Sequence, residues 1–123
     1  MRADIDPNVL IRFLTRDDPR QASIASHFIR QGVRIQKIAL VETEWVLRKV
    51  YGWKKEAVLK AFETLMCYAK IDVEEREQVT EALTNWAVSP KSDFADCLLV
   101  AGADSAFATF DEGLATLPGV RLL

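Results

Sequence analysis

Short segments of strand character alternate with amphipathic helical segments along the whole chain, and this alternation constrains the fold more than any other feature. Residues 3–6 read as a first strand, and Pro7 opens a helix, because its missing N–H costs nothing at the first helical position. The turn sequence Asp17-Asp18-Pro19 precedes a helix over 20–30, with Ala22, Ala25, Phe28 and Ile29 at helical spacing and Gly32 as its stop. Residues 33–38 alternate as a second strand. Two helices follow, over 41–50 with Gly52 ending it and over 54–66 through Val58, Phe62 and Leu65. A strand at 71–73 leads into a helix over 74–87 whose core face is Val79, Leu83 and Trp86, broken at Ser89-Pro90. Ser92 or Asp93 caps a helix running to Ala103, and a strand at 106–110, a short helix at 112–117 and a strand at 120–122 complete the chain. Strands joined through helices pair in parallel. The predicted fold is therefore a three-layer α/β/α sandwich with a mostly parallel sheet, in which ligands gather at the carboxyl ends of the strands.

The 123 residues suit one domain, 1–123, with no linker and no internal repeat. The longest apolar runs fall short of the roughly 20 residues of a membrane helix, and the N-terminus lacks an apolar signal region, so the protein is expected to be cytoplasmic. Cys67 and Cys97 lack metal-type spacing and read as buried, reduced thiols. Net charge is −2, but the halves differ: residues 1–60 hold 12 basic and 7 acidic side chains (+5), and residues 61–123 hold 4 and 11 (−7). One face can then attract a polyanion while the whole remains acidic; solvated helix faces are the plainer explanation.

Four carboxylates fall where this architecture brings side chains together. Asp6 and Asp111 follow strands, and Glu42 and Asp96 lie in the first turns of helices, so the four are expected to converge on one crevice. Packed carboxylates repel one another and lose hydration, which requires something positive among them. With no His or Cys nearby, hard oxygen donors point to Mg²⁺ or Mn²⁺, and such an ion activates water for attack on a phosphodiester. Taken singly, Asp6 before Pro7 and Asp93 before Asp96 are also ordinary helix caps, and Asp111 is ordinary turn chemistry.

The stretches DPNVLIRFLTRDDPRQA, VETEWVLRKVYG, DFADCLLVAGA and TFDEGLA, in this order and nearly end to end, resemble the PIN-domain nucleases, specifically the VapC-type toxins of bacterial toxin–antitoxin pairs. The resemblance implies a Mg²⁺-dependent endoribonuclease, a homodimer, silenced by a small antitoxin that inserts a C-terminal segment into the site. It implies Asp6, Glu42, Asp96 and Asp111 as metal-binding and catalytic acids, with Asn8 and Thr109 as supporting polar positions; Asp93 is either a support or a cap alone. Three positions depart from the family pattern. Pro7 stands where Thr is usual, Asp4 stands where an apolar strand residue is usual, and the segment between Asp96 and Asp111 is shorter.

Arg12 and Arg16 share a face of the helix beginning next to Asp6 and are the candidates for holding RNA phosphates. Glu44, about 200° around the helix from Glu42, reads as a solvated charge. Trp45 and Trp86 read as core residues, Trp53 is open, and His27 has no partner motif. Two other readings stand beside the nuclease. One is a PIN-like protein that binds RNA or an antitoxin with little cleavage, motivated by Pro7; the other is a phosphatase of the Asp4-Ile5-Asp6 type with Asp4 as nucleophile.

Overall fold

A computed structural model of the chain describes residues 2–123. It divides into two compact units, Met1–Arg76 and Glu77–Leu123. The first begins with strand β1 (Ala3–Asp4) and helices α1 (Pro7–Thr15) and α2 (Pro19–Arg30), followed by β2 (Val33–Ile35), α3 (Lys37–Lys49), α4 (Lys55–Met66) and β3 (Ile71–Val73). The second continues α5 (Arg76–Val88), then holds α6 (Phe94–Ala101), β4 (Phe107–Thr109), a single 3₁₀ turn (Leu114–Thr116) and β5 (Val120–Leu122). The protein is thus of the α/β class, and every strand pairing is parallel. The strands form two sheets, β1-β2-β3 and β4-β5.

In the first unit Ala3 pairs with Val33 and Val33 with Ile71, so three short strands end at the same level and deliver the chain to α1, α3 and the loop before α5. Val33 and Ile35 are buried on one side of the pleat, and Leu10, Ile11, Ala22, Ala25, Ile29, Leu47, Val58, Phe62 and Leu65 supply the apolar stripes of the helices. Helix starts follow local chemistry: Asp6 caps α1 and Asp18 caps α2, each with proline next. α1 stops where Arg16 turns left-handed (φ 56°) and returns its N–H to the Arg12 carbonyl at 3.0 Å.

α3 departs most from expectation. It starts at Lys37 rather than at residue 41, so Glu42 lies in its second turn and not its first. Gln36, at the N-cap, makes no side-chain cap bond; instead Glu74, just after β3, accepts the Lys37 N–H at 2.9 Å. Its buried face runs through Leu40, Thr43, Glu44 and Leu47. Glu44, expected to be solvated, is only 7 % exposed, with Arg48 at 3.7 Å, and Trp45, expected in the core, is 57 % exposed. Ile38 and Trp45, seven residues apart on one face, leave an apolar stripe outside.

In the second unit Val79, Leu83 and Trp86 are buried as expected, and the Trp86 and Phe94 rings lie 5.6 Å apart between centroids. The cysteines split: both are free thiols, Cys97 is buried, and Cys67, at the end of α4, is exposed, contrary to its expected burial. α6 ends at Ala101, earlier than expected, and the expected helix over 112–117 is only the 3₁₀ turn. Among the described residues no helix is long and apolar enough to cross a membrane.

Candidate functional site

Asp6 stands just past the carboxyl end of β1, and its position is set by capping. Its Oδ1 accepts the N–H of Asn8 at 2.9 Å and of Val9 at 3.3 Å, while Oδ2 has no hydrogen-bond partner among the described residues. Pro7 occupies the first helical position, so no N–H from that residue reaches the carboxylate. Asp6 and Glu42, both exposed, line one cavity of about 300 Å³ together with Asp4 and Gln36. Asp4 is restrained there: its Oδ2 accepts from Arg34 at 2.9 Å and from Gln36 at 2.6 Å. Arg34, paired in register with Asp4, also stands 3.5 Å from Glu74. Two of the four predicted acids are therefore brought together here, beside a third carboxylate that an arginine neutralises.

The second unit gathers the others. Asp93 caps α6 by accepting the Asp96 N–H at 2.8 Å, the capping role foreseen for it. Burial, and then the negative charges of Asp93 and Asp111, push the Asp96 carboxyl above its ordinary value. Asp111 follows β4 and its Oδ1 accepts the N–H groups of Gly113 (2.8 Å) and Leu114 (3.1 Å). Its own N–H donates to Thr109 Oγ1 at 3.0 Å, so Thr109 ties the loop to the strand. Gly113 has ordinary helical dihedrals (φ −65°, ψ −42°), but a Cβ there would stand 2.8 Å from Lys91 Cβ, so the close approach requires glycine. This contact sets the Lys91 stem beside the Asp111 turn, which the spacing of the sequence does not reveal.

Among the described residues no group of three or more His, Cys, Asp or Glu side chains closes to metal-holding geometry. The donor chemistry fits a hard divalent cation all the same: each set consists of carboxylates, and Asp96 holds its proton more tightly because burial, and then the neighbouring acids, disfavour its charge. The predicted phosphate ligands fare differently. Arg12 donates to Asp17 (2.9 Å), to Gln21 (2.7 Å) and to Tyr51 (3.1 Å), so its charge is already answered. Arg16 lies beyond the last turn of α1 and does not share a helical face with Arg12; it donates to Ser26 Oγ at 3.0 Å.

The sequence pattern of the PIN domain matches residues 5–120, running through both units, and the chain belongs to the PIN domain family. PIN domains are generally metal-dependent nucleases using Mg²⁺ or Mn²⁺. No curated protein and no solved structure matches the chain. Membership of this family gives no support to the phosphatase reading, and Asp4, its nucleophile, is bound by Arg34 and Gln36.

Proposed function

We propose that this chain is an endoribonuclease of the VapC type, the toxin of a toxin–antitoxin pair acting in the cytoplasm, with both units together forming one PIN domain. Asp6 and Glu42 in the first unit, and Asp96 and Asp111 in the second, are the carboxylates assigned to Mg²⁺ or Mn²⁺. When bound, the cation supplies charge that offsets a phosphodiester's and lowers the pKa of water. Asp6 is held by its cap with one oxygen left over, and Asp111 by the Gly113 and Leu114 N–H groups, so neither needs to reorganise to bind a cation. Asn8 fixes Asp6 through its backbone, Thr109 fixes the Asp111 turn, and Asp93 adds negative charge beside Asp96.

The observation that carries this reading is the PIN pattern over 5–120, together with Asp96 part-buried beside the carboxylates of Asp93 and Asp111. Repelling carboxylates, one of them part-buried, are costly unless a cation relieves them. The test is cleavage of structured RNA by purified protein with and without Mn²⁺. Cleavage is expected to need the metal and to be lost in Asp6→Asn and in Asp96→Asn; activity surviving both together overturns the assignment.

Two further surfaces support the partners. A cavity of about 490 Å³ beside Asp6 has Ile24 and Phe28 exposed on its apolar wall, which suits a short antitoxin segment. The outer stripe of Ile38 and Trp45 on α3 suits a second copy of the chain in a homodimer. Pro7 favours the rival, a weakened PIN-like protein that binds RNA or an antitoxin: it removes one N–H and the usual hydroxyl beside Asp6. Wild-type protein that never cuts but still binds its partner decides for the rival.

A further inference from the structure

The sequence assigns an excess of positive charge to the first half of the chain, but Arg12, Arg34 and Arg48 are each paired with an acid. The unpaired cations gather elsewhere. Two cavities of about 390 and 380 Å³ share Phe13, Arg30 and Tyr68; the first adds Lys70 and the second adds Arg16. No Asp or Glu lines either of them. Among the described residues the side chains of Arg30 and Lys70 make no hydrogen bond or ion pair, and the Arg16 side chain makes only its bond to Ser26, which leaves the rest of its guanidinium open. Arg2 lies alongside, its stem about 3.5 Å from where a Cβ on Gly32 would sit, close to the Lys70 carbonyl.

Aromatic surface is built into the same place. The Phe13 and Tyr68 rings meet edge to face, 6.3 Å between centroids and 68° between planes, and Tyr68 keeps 45 % of its surface exposed. An edge-to-face pair fixes the rings against each other without covering both faces of either. The cleft lies at the far end of α1 from Asp6, about 13 Å along a nine-residue helix at 1.5 Å per residue. It is therefore distinct from the cavity of Asp6 and Glu42, although one helix links the two.

We infer that this cleft is a second nucleic-acid site, in which an unpaired base stacks on Tyr68 beside Phe13 while Arg16, Arg30 and Lys70 hold the flanking phosphates of single-stranded RNA. Each component has a physical reason. A base offers a π-face to an aromatic ring whatever its identity, and flanking phosphates need separate cations rather than one. A ring face can be reached by a splayed base but not by one already stacked in a duplex, which favours single strand. An acidic peptide would use the cations and leave the aromatic pair idle. The site rests on the nuclease reading only for RNA as the polymer; its effect would be to anchor substrate at one end of α1 while the Asp6 end acts on it.

The test is fluorescence anisotropy of the full chain with a labelled single-stranded RNA in EDTA, where no cleavage occurs. Arg30→Glu combined with Lys70→Glu is expected to weaken binding about ten-fold or more and to flatten its salt dependence, since each lost phosphate contact removes roughly 0.7 from the slope for a single strand. Tyr68→Ala is expected to weaken binding about five-fold or more, and Tyr68→Phe to restore it. Unchanged affinity in both the charge reversal and Tyr68→Ala overturns the inference, as does tighter binding of duplex RNA or polyglutamate than of single-stranded RNA. Failure of Mn²⁺-dependent cleavage with this binding pattern intact counts against the nuclease alone; intact cleavage with binding indifferent to these variants counts against the second site alone.

Discussion

The backbone N–H of Asp96 donates to Asp93 Oδ1 at 2.8 Å, so one bond that starts helix α6 also holds two carboxylates within the same turn. Capping and repulsion therefore arise from a single contact.

The first prediction follows from its pH dependence. Burial, then Asp93 and Asp111, lift the Asp96 carboxyl above its ordinary value. A carboxyl raised in the folded state destabilises the fold at every pH above that raised value, and the cost fades as pH falls towards the unfolded-chain value, about 3.9. Asp96→Asn is expected to raise Tm at neutral pH, because it removes the charge that burial and the neighbouring acids disfavour. The gain should shrink on acidification and vanish below about pH 4. Thermal melts of both proteins across that range check it, and a variant less stable than wild type at neutral pH contradicts it.

Glu74→Ala should loosen the start of α3, 37 residues earlier in the chain, by removing the acceptor of the Lys37 N–H. Loss of a cap costs about 1 kcal/mol. Glu74→Gln keeps an acceptor and should recover most of it. Urea midpoints of the three proteins decide, and equal midpoints rule the long-range cap out.

Gly113→Ala places a methyl 2.8 Å from Lys91 Cβ and 3.2 Å from Asp111 Oδ1. Overpacking of this kind costs about 1–3 kcal/mol. Because the clash is with a Cβ, Lys91→Ala should not relieve it and Lys91→Gly should. Thermal melts of the double variants separate steric relief from loss of the lysine charge.

Trp45→Glu should leave the folded chain intact, since the ring is mostly exposed and surface changes are usually within about 0.5 kcal/mol. If the outer stripe of α3 joins two copies, light scattering should show wild type as a dimer and this variant as a monomer. A wild-type monomer at micromolar concentration removes the dimer and leaves the nuclease standing.

Much of this was legible in the residues wherever a local cause decides the outcome. Asp6-Pro7 and Asp18-Pro19 mark helix starts that the structure reproduces to within a residue, and Val79, Leu83 and Trp86 are buried as their spacing indicates. The strand at 71–73 is likewise where alternation puts it. The start of α3 was not legible, because its cap comes from Glu74 rather than from a neighbour; separately, the buried face of the helix runs through Leu40, Thr43, Glu44 and Leu47, which puts Glu44 inside and Trp45 outside. Of the candidate site, the placement of Asp6 and Asp111 after strands and of Asp96 in the first turn of a helix was readable, while that of Glu42 was not. The partners of the arginines were not: Arg12 is claimed by Asp17 and Tyr51, while Arg16 leaves the helical register through a left-handed turn that nothing in its side chain announces.

Glu74 also bears on the order in which the chain can assemble. The first turn of α3, one turn ahead of Glu42, is capped only once α4 and β3 have been made and returned to the sheet, so its closure depends on a contact far apart in sequence, which is formed slowly relative to local helices. Before that moment the Lys37 N–H lacks the Glu74 carboxylate, and the turn is more exposed to fraying. On a ribosome, the carboxylate at position 42 would emerge well ahead of the residue that steadies it, and the nascent protein would acquire an ordered acidic cleft only after its first three strands had been synthesised.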